Sequence, residues 1–179
     1  MKIKKIAQPI NKGLLYNEYS NSNEDGYSCS YINNLTEKNI LTLTIETENT
    51  QLTSTSNYQR IPIPLNTQIY KRGTKLSKTE DGKILIGNGI TDIKISASIV
   101  CSGSNTQWGL TIFKNNVEQA MLIDTPPNTN FTTLSLSSVP IPVNEGDIIE
   151  MRLYIDTSGT TKRLRKYSNN ATRLTVEAI

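Results

Sequence analysis

The sequence predicts an all-β fold, an antiparallel two-sheet sandwich of jelly-roll size. Three observations predict it. The 179 residues include 22 Ile and 22 Thr against 5 Ala, and β-branched side chains suit a pleated, half-buried surface more than a helix. Apolar and polar residues alternate with a period of two over short segments. Those segments succeed one another at short intervals, divided by Asn, Ser and Gly turns, which is the spacing of a sandwich or barrel and not of βαβ units. No helix of three turns finds room between them.

Taken in order, the residues from Lys2 to about Asn34 show little periodicity, and the polar run Asn17 to Asp25 (NEYSNSNED) cannot bury a core of its own. This part reads as an arm or docking segment. Leu41, Leu43 and Ile45 alternate with Thr42, Thr44 and Glu46 to form one half-buried strand. The Ser/Thr-rich run Gln51 to Tyr58 (QLTSTSNY) is unpatterned and is expected to be a boundary. Residues 1–50 are then a small β-containing N-terminal docking segment, and residues 58–179 are the main domain. There, Pro62 and Pro64 between Ile61, Ile63 and Leu65 suit an edge strand, whose N–H groups need no partner. Asp81-Gly82 turns the chain into Ile84 to Ile86, and Gly87-Asn88-Gly89 closes that strand. Ile93, Ile95, Ala97, Ile99 and Cys101 give the inward face of a long strand, with Lys94, Ser96 and Ser98 outward. Trp108, Leu110 and Ile112 give the next inward face, and Asn115-Asn116 turns into Val117 to Ile123. Beyond Pro126-Pro127, Leu134 and Leu136 lead to Val139. Ile149, Met151, Leu153 and Ile155 point inward from the best-patterned strand, with Glu150, Arg152, Tyr154 and Asp156 outward. Leu174, Val176 and Ala178 mark the last of seven or eight strands.

Composition excludes several function classes. The formal net charge of +3, from 19 basic and 16 acidic residues, is too mild to imply nucleic acid as the main partner. Cys29 and Cys101 fit no metal-ligand spacing and read as free thiols in a reducing compartment, with a disulfide between them as the alternative. Gln8, Pro9, Asn11 and Lys12 interrupt any apolar stretch of a secretory signal, and no run approaches the roughly 18 apolar residues of a membrane span. The sequons at Asn34, Asn130 and Asn170 are then chance matches. With no histidine in the chain, serine and cysteine triads of the usual kind, most zinc sites and the commonest general base are excluded. The carboxylate pairs Asp147 with Glu150 and Asp124 with Glu118 leave hydrolysis formally open, but they read as turn and solvent-face charges. Gly87-Asn88-Gly89 has no helix after it to make a phosphate loop, and Asn23-Glu24-Asp25-Gly26 lacks the remaining ligands of a calcium loop. No catalytic, metal or cofactor-binding residue is expected, and no cofactor.

Three segments carry a family resemblance. They are Asp81-Gly82-Lys83-Ile84 leading into Asp92 to Ala97 (DIKISA), Trp108 to Asn116 (WGLTIFKNN), and Glu145 to Leu153 (EGDIIEMRL). In that order they resemble the short and long central strands, the apolar strand ending in a Lys-Asn turn, and the Gly-Asp turn before the penultimate strand of the C1q and tumour-necrosis-factor (TNF) superfamily of trimeric jelly rolls. Within it the chain is most similar to small fibre and receptor-binding proteins of tailed phages that infect low-GC Gram-positive bacteria. In those proteins such a jelly roll follows a short virion-docking segment, and Tyr27 to Asn33 (YSCSYIN) also resembles a segment of such phage proteins. An aromatic content of 6% departs from the aromatic-rich trimer axis of the eukaryotic members.

The resemblance implies a C1q/TNF-like, homotrimeric and non-enzymatic virion protein, a head or tail fibre or decoration subunit that serves surface adhesion. It would assemble in the bacterial host cytoplasm and contact other virion proteins through its N-terminal segment. A receptor-binding tip recognising a host cell-wall glycan or teichoic acid is the alternative, and a glycan depolymerase stands third. Neither nucleic acid nor membrane insertion is expected. The one dense basic cluster, Lys162 to Tyr167 (KRLRKY), is expected in a loop between the last two strands. It reads either as a solvated loop or, through Lys162, Arg163, Arg165 and Lys166, as contact with an anionic surface, because arginine forks match phosphate oxygens. Trp108 is expected in the core or at a subunit interface, and the outward Arg152 and Tyr154 are expected interface residues.

Overall fold

The computed structural model describes residues 38–103, 106–125, 131–166 and 171–179. Among them run thirteen strands: β1 (Ile40–Thr44), β2 (Asn49–Thr53), β3 (Gln59–Pro62), β4 (Thr67–Arg72), β5 (Leu76–Lys78), β6 (Ile84–Ile86), β7 (Asp92–Gly103), β8 (Trp108–Lys114), β9 (Val117–Asp124), β10 (Thr132–Pro142), β11 (Ile148–Ile155), β12 (Thr161–Arg165) and β13 (Arg173–Ala178). One sheet has the order β2-β12-β7-β13-β1-β4, with β10 also on β7; the other has the order β5-β6-β11-β8-β9, with β3 also on β11. All the pairings are antiparallel. The fold is therefore the predicted two-sheet sandwich.

Alternation builds the core. Ile93, Ile95, Ile99 and Cys101 on β7 have no exposed surface, and neither do Trp108, Leu110 and Ile112 on β8. They share one cluster with Leu153 and Ile155 of β11 and with Leu174 and Val176 of β13. Each such aliphatic side chain contributes about 1.5–3 kcal/mol relative to exposure. The β8–β9 hairpin closes on Asn115 and Asn116 at φ 50 and 65, the two left-handed positions that a type I′ turn requires and that Asn tolerates. At Gly82, φ 76, an added Cβ would lie 2.7 Å from the backbone nitrogen of Leu65, so the predicted turn needs glycine.

Two expectations are corrected. The boundary expected at residues 51–58 falls within the sandwich: β1 lies between β13 and β4, and β2 pairs along its whole length with β12. Leu41, Leu43 and Ile45 are fully buried in the common core, and the described residues belong to one unit, Lys38–Ile179. The polar appearance has a physical cause, since β2 is an edge strand with no buried residue and needs no apolar alternation. The basic cluster is likewise not a loop, because Thr161–Arg165 is strand β12, bonded to β2 and β7. Strands such as β2, β4, β5 and β12 raise the count above seven or eight. The Asn17 to Asp25 run, the Tyr27 to Asn33 segment, Asn23 to Gly26, Cys29, the three sequons, Pro126-Pro127 and Tyr167 lie outside the described residues.

A fragment beginning at Lys38 is expected to melt cooperatively by circular dichroism, whereas one beginning at Tyr58, lacking β1 and β2, loses that transition. In the full chain Leu43→Ala should lower stability by about 2–5 kcal/mol in urea titration.

Candidate functional site

On the outer face of the β3-β11-β8-β9 layer, Glu150, Arg152 and Tyr154 alternate outward from β11 as their spacing predicts, yet Glu150 is only 5% and Tyr154 6% exposed. Their cover comes from within the chain. Arg152 pairs with Glu150, donates to Asn116 Oδ1 and lies 4.0 Å from the centroid of the Phe113 ring. Lys83 links Glu150, at 3.7 Å, to Asp81, at 2.7 Å. Arg60 Nε meets Glu118 Oε2 at 2.6 Å, and its guanidinium stands 5.5 Å from the Tyr154 ring centroid. Burial lowers the Arg152 pKa. Burial also raises that of Tyr154, helped by Asp156 and Tyr58 and opposed by Arg60. The two expected interface residues are thus engaged inside their own chain.

The carboxylates weighed for hydrolysis have local partners too. Asp147 accepts from Asn144 N at 2.9 Å and Asn115 Nδ2 at 2.6 Å, with Lys114 Nζ at 3.7 Å. Burial pushes its pKa upward, but these hydrogen bonds and Lys114 outweigh it and hold the carboxyl below the ordinary 3.8. Glu118 holds Arg60, Glu150 holds Arg152, and Asp124 Oδ1 accepts from Thr125 N at 2.8 Å. Among the described residues no three His, Cys, Asp or Glu side chains gather to hold a metal, and no helix is long and apolar enough to cross a membrane.

Alternation along β12 divides the basic cluster. Leu164 lies opposite Cys101, both without exposed surface, and Lys162, two residues before it on the same side, is 1% exposed. Its Nζ donates to Thr106 O at 3.2 Å. Burial lowers the Lys162 pKa against the opposing effects of Cys101 and Asp156. Burial pushes the free Cys101 thiol up to about 12, with Lys162 acting in the opposite sense. Arg163 is exposed, Arg165 stacks 3.9 Å from the Phe131 centroid, and Lys166 Nζ reaches Glu46 O at 3.3 Å. The four residues do not form one surface, because the interior takes Lys162. Trp108, with no exposed surface, is sealed in the chain's own core and has none to give to a neighbouring subunit.

One feature that the sequence does not announce lies where the β2–β3 loop (54–58) meets the β11–β12 loop (156–160). Ser54, 1% exposed, donates through Oγ to Thr157 O at 2.5 Å and through its N–H to Thr160 O at 2.9 Å, and its carbonyl accepts from Gly159 N at 2.9 Å. Ser158 N donates to Asn57 Oδ1 at 2.8 Å, and Tyr58 N donates to Asp156 O at 3.0 Å. The Tyr58 carbonyl accepts from Arg60 Nη1 at 3.4 Å. So held, Tyr58 sits at φ 56, a left-handed conformation that costs a residue with a Cβ about 1–2 kcal/mol, and its side chain is 67% exposed. The preceding Ser/Thr run is the only local sign of a hydrogen-bonded loop, and nothing in Asn57-Tyr58 marks the left-handed backbone.

Solved structures share this architecture. The Eiger TNF of S. frugiperda matches with a TM-score of 0.61 at 10% identity, over 80% of this chain and 93% of that one. Murine APRIL matches at 0.56 and 13% identity, over 80% and 100%. PRD1 vertex protein P5 matches at 0.53 and 17% identity, over 79% and 96%. At such identities the likeness shows the fold, and the fold is a jelly roll of the TNF type. No protein-family model and no curated protein matches the sequence.

Replacing Arg152 with Leu leaves Glu150 buried with only Lys83 near it, and should cost about 1–3 kcal/mol in urea titration. Asp147 has a lowered pKa, so its contribution is present above the ordinary carboxylate range and is lost as pH falls through the folded value. Asp147→Asn should therefore reduce stability near neutrality and flatten the acid limb of the stability profile, read from melting temperature against pH.

Proposed function

We propose that the chain is a non-enzymatic structural virion protein of a phage, a head or tail fibre or decoration subunit, that works as a homotrimer and presents its jelly roll for surface adhesion. The observation that carries the reading is the fold, shared with TNF-type proteins and with a PRD1 vertex protein. The C1q and TNF jelly rolls that the sequence resembles are trimers. Exposed apolar side chains on strands at the ends of both sheets support association: Ile69 and Tyr70 on β4 are 51% and 49% exposed, and Val117 and Ile123 on β9 are 61% and 41% exposed. The residues before β1 form the virion-docking segment in this reading, so the expected 1–50 segment shortens to end before Lys38. A chain without histidine lacks the commonest general base, which supports a non-enzymatic role.

A second reading, a receptor-binding tip for a host cell-wall glycan or teichoic acid, is favoured by the rigid loop pair that displays Tyr58.

Light scattering coupled to gel filtration should give three times the chain mass at micromolar concentration, and a monomer mass would sink the trimer. Particles assembled with a version lacking residues 1–37 should lack the protein, by immunoblot, while the truncated protein keeps its oligomeric mass in solution.

A further inference from the structure

We propose that the Tyr58 ring is a saccharide-binding platform, on which the jelly roll stacks a pyranose ring of a surface polysaccharide. Tyr58 is the most exposed large apolar side chain among the described residues, at 67%. Its ring therefore gains little from burial, and its backbone at φ 56 would be relaxed by Asn or Gly. The residue is unfavourable for stability on both counts, and strain that the surroundings hold in place marks positions kept for binding.

The surroundings do hold it. The hydrogen bonds of Ser54, Asn57 and Tyr58 to the 156–160 loop fix the platform before any ligand arrives, which keeps the ordering cost of binding small. Polar groups lie beside it in the chain or across those bonds: Asn57, Ser158 and Asp156. Asp156 Oδ1 accepts from the Thr157 hydroxyl at 2.8 Å, and no described residue hydrogen-bonds to Oδ2. An exposed aromatic ring on a loop pair that also carries amide, hydroxyl and carboxylate groups suits a pyranose, which has an apolar face and a hydroxyl edge. A protein partner would require a contiguous apolar core, and a single ring among polar neighbours does not supply one. One shallow site binds weakly, and several copies on one particle recover affinity through effective concentration.

The inference rests on the surface-adhesion reading. Its test measures, by surface plasmon resonance, binding of the full chain to neutral polysaccharide purified from the wall of a low-GC Gram-positive bacterium, with teichoic acid as a second probe. The wild-type protein should bind the neutral polysaccharide and Tyr58→Phe should keep that binding. Tyr58→Asn should bind about tenfold more weakly while melting at or above the wild-type temperature. Wild-type affinity in Tyr58→Asn overturns the site alone, and so does a large drop in its melting temperature, which would make the ring structural. Binding confined to teichoic acid and lost in Arg163→Ala also overturns it. If the wild-type protein binds neither probe, the adhesion reading fails together with the site.

Discussion

Strand β7 is the constraint on which the rest of the sandwich depends. It pairs with β10 along one edge and with β13 and then β12 along the other, so its register sets that of three neighbours. A slip of one residue would bring Lys94, Ser96 and Ser98 inward in place of Ile93, Ile95, Ala97 and Ile99. Burial of those side chains against Trp108, Leu110 and Ile112 makes the slip prohibitive. Strand β10 meets the demand with one extra residue between Leu136 and Val139, where Ser138 adopts φ 55, and so keeps Leu134 opposite Ile99 and Ile141 opposite Ile93.

Where apolar and polar residues alternate along a strand, the inward face can be read directly, as on β1, β7, β8 and β11, although on β1, β8 and β11 the polar face is covered as well. The alternation becomes unreadable at the edges. Strand β4 is exposed along nearly its whole length, with a bulge between the partners of Thr42 and Leu43 and with Lys71 and Arg72 in the strand. Such devices keep an edge from pairing with another chain, and they also erase the pattern that identifies a strand. Lys162 is the opposite case: a charge suggests solvent, but its place beside Leu164 on the inward side of β12 is set by strand geometry, and its long stem can be buried while Nζ finds a carbonyl. Tyr58 was beyond local reading because its backbone angle is imposed by a loop almost a hundred residues away in sequence.

The outer layer of the β3-β11-β8-β9 face and the sandwich end differ in what they leave open. On the face, Arg60, Lys83 and Arg152 are matched to Glu118, Asp81 and Glu150, so little charge is left for a partner. At the end, hydrogen bonds are spent in joining two loops to each other, and an aromatic ring remains in solvent. A fold shared by proteins this far apart in sequence carries its individuality in such loops, while the core is shared.

Cys101 has a consequence outside packing. Thiolate is the form that attacks disulfides and reacts with oxidants, and a thiol with no exposed surface and a pKa of about 12 supplies almost none of it. This residue is therefore electrochemically silent. Burial alone keeps the residue as an unreactive thiol, whatever the redox state of the solvent around the sandwich.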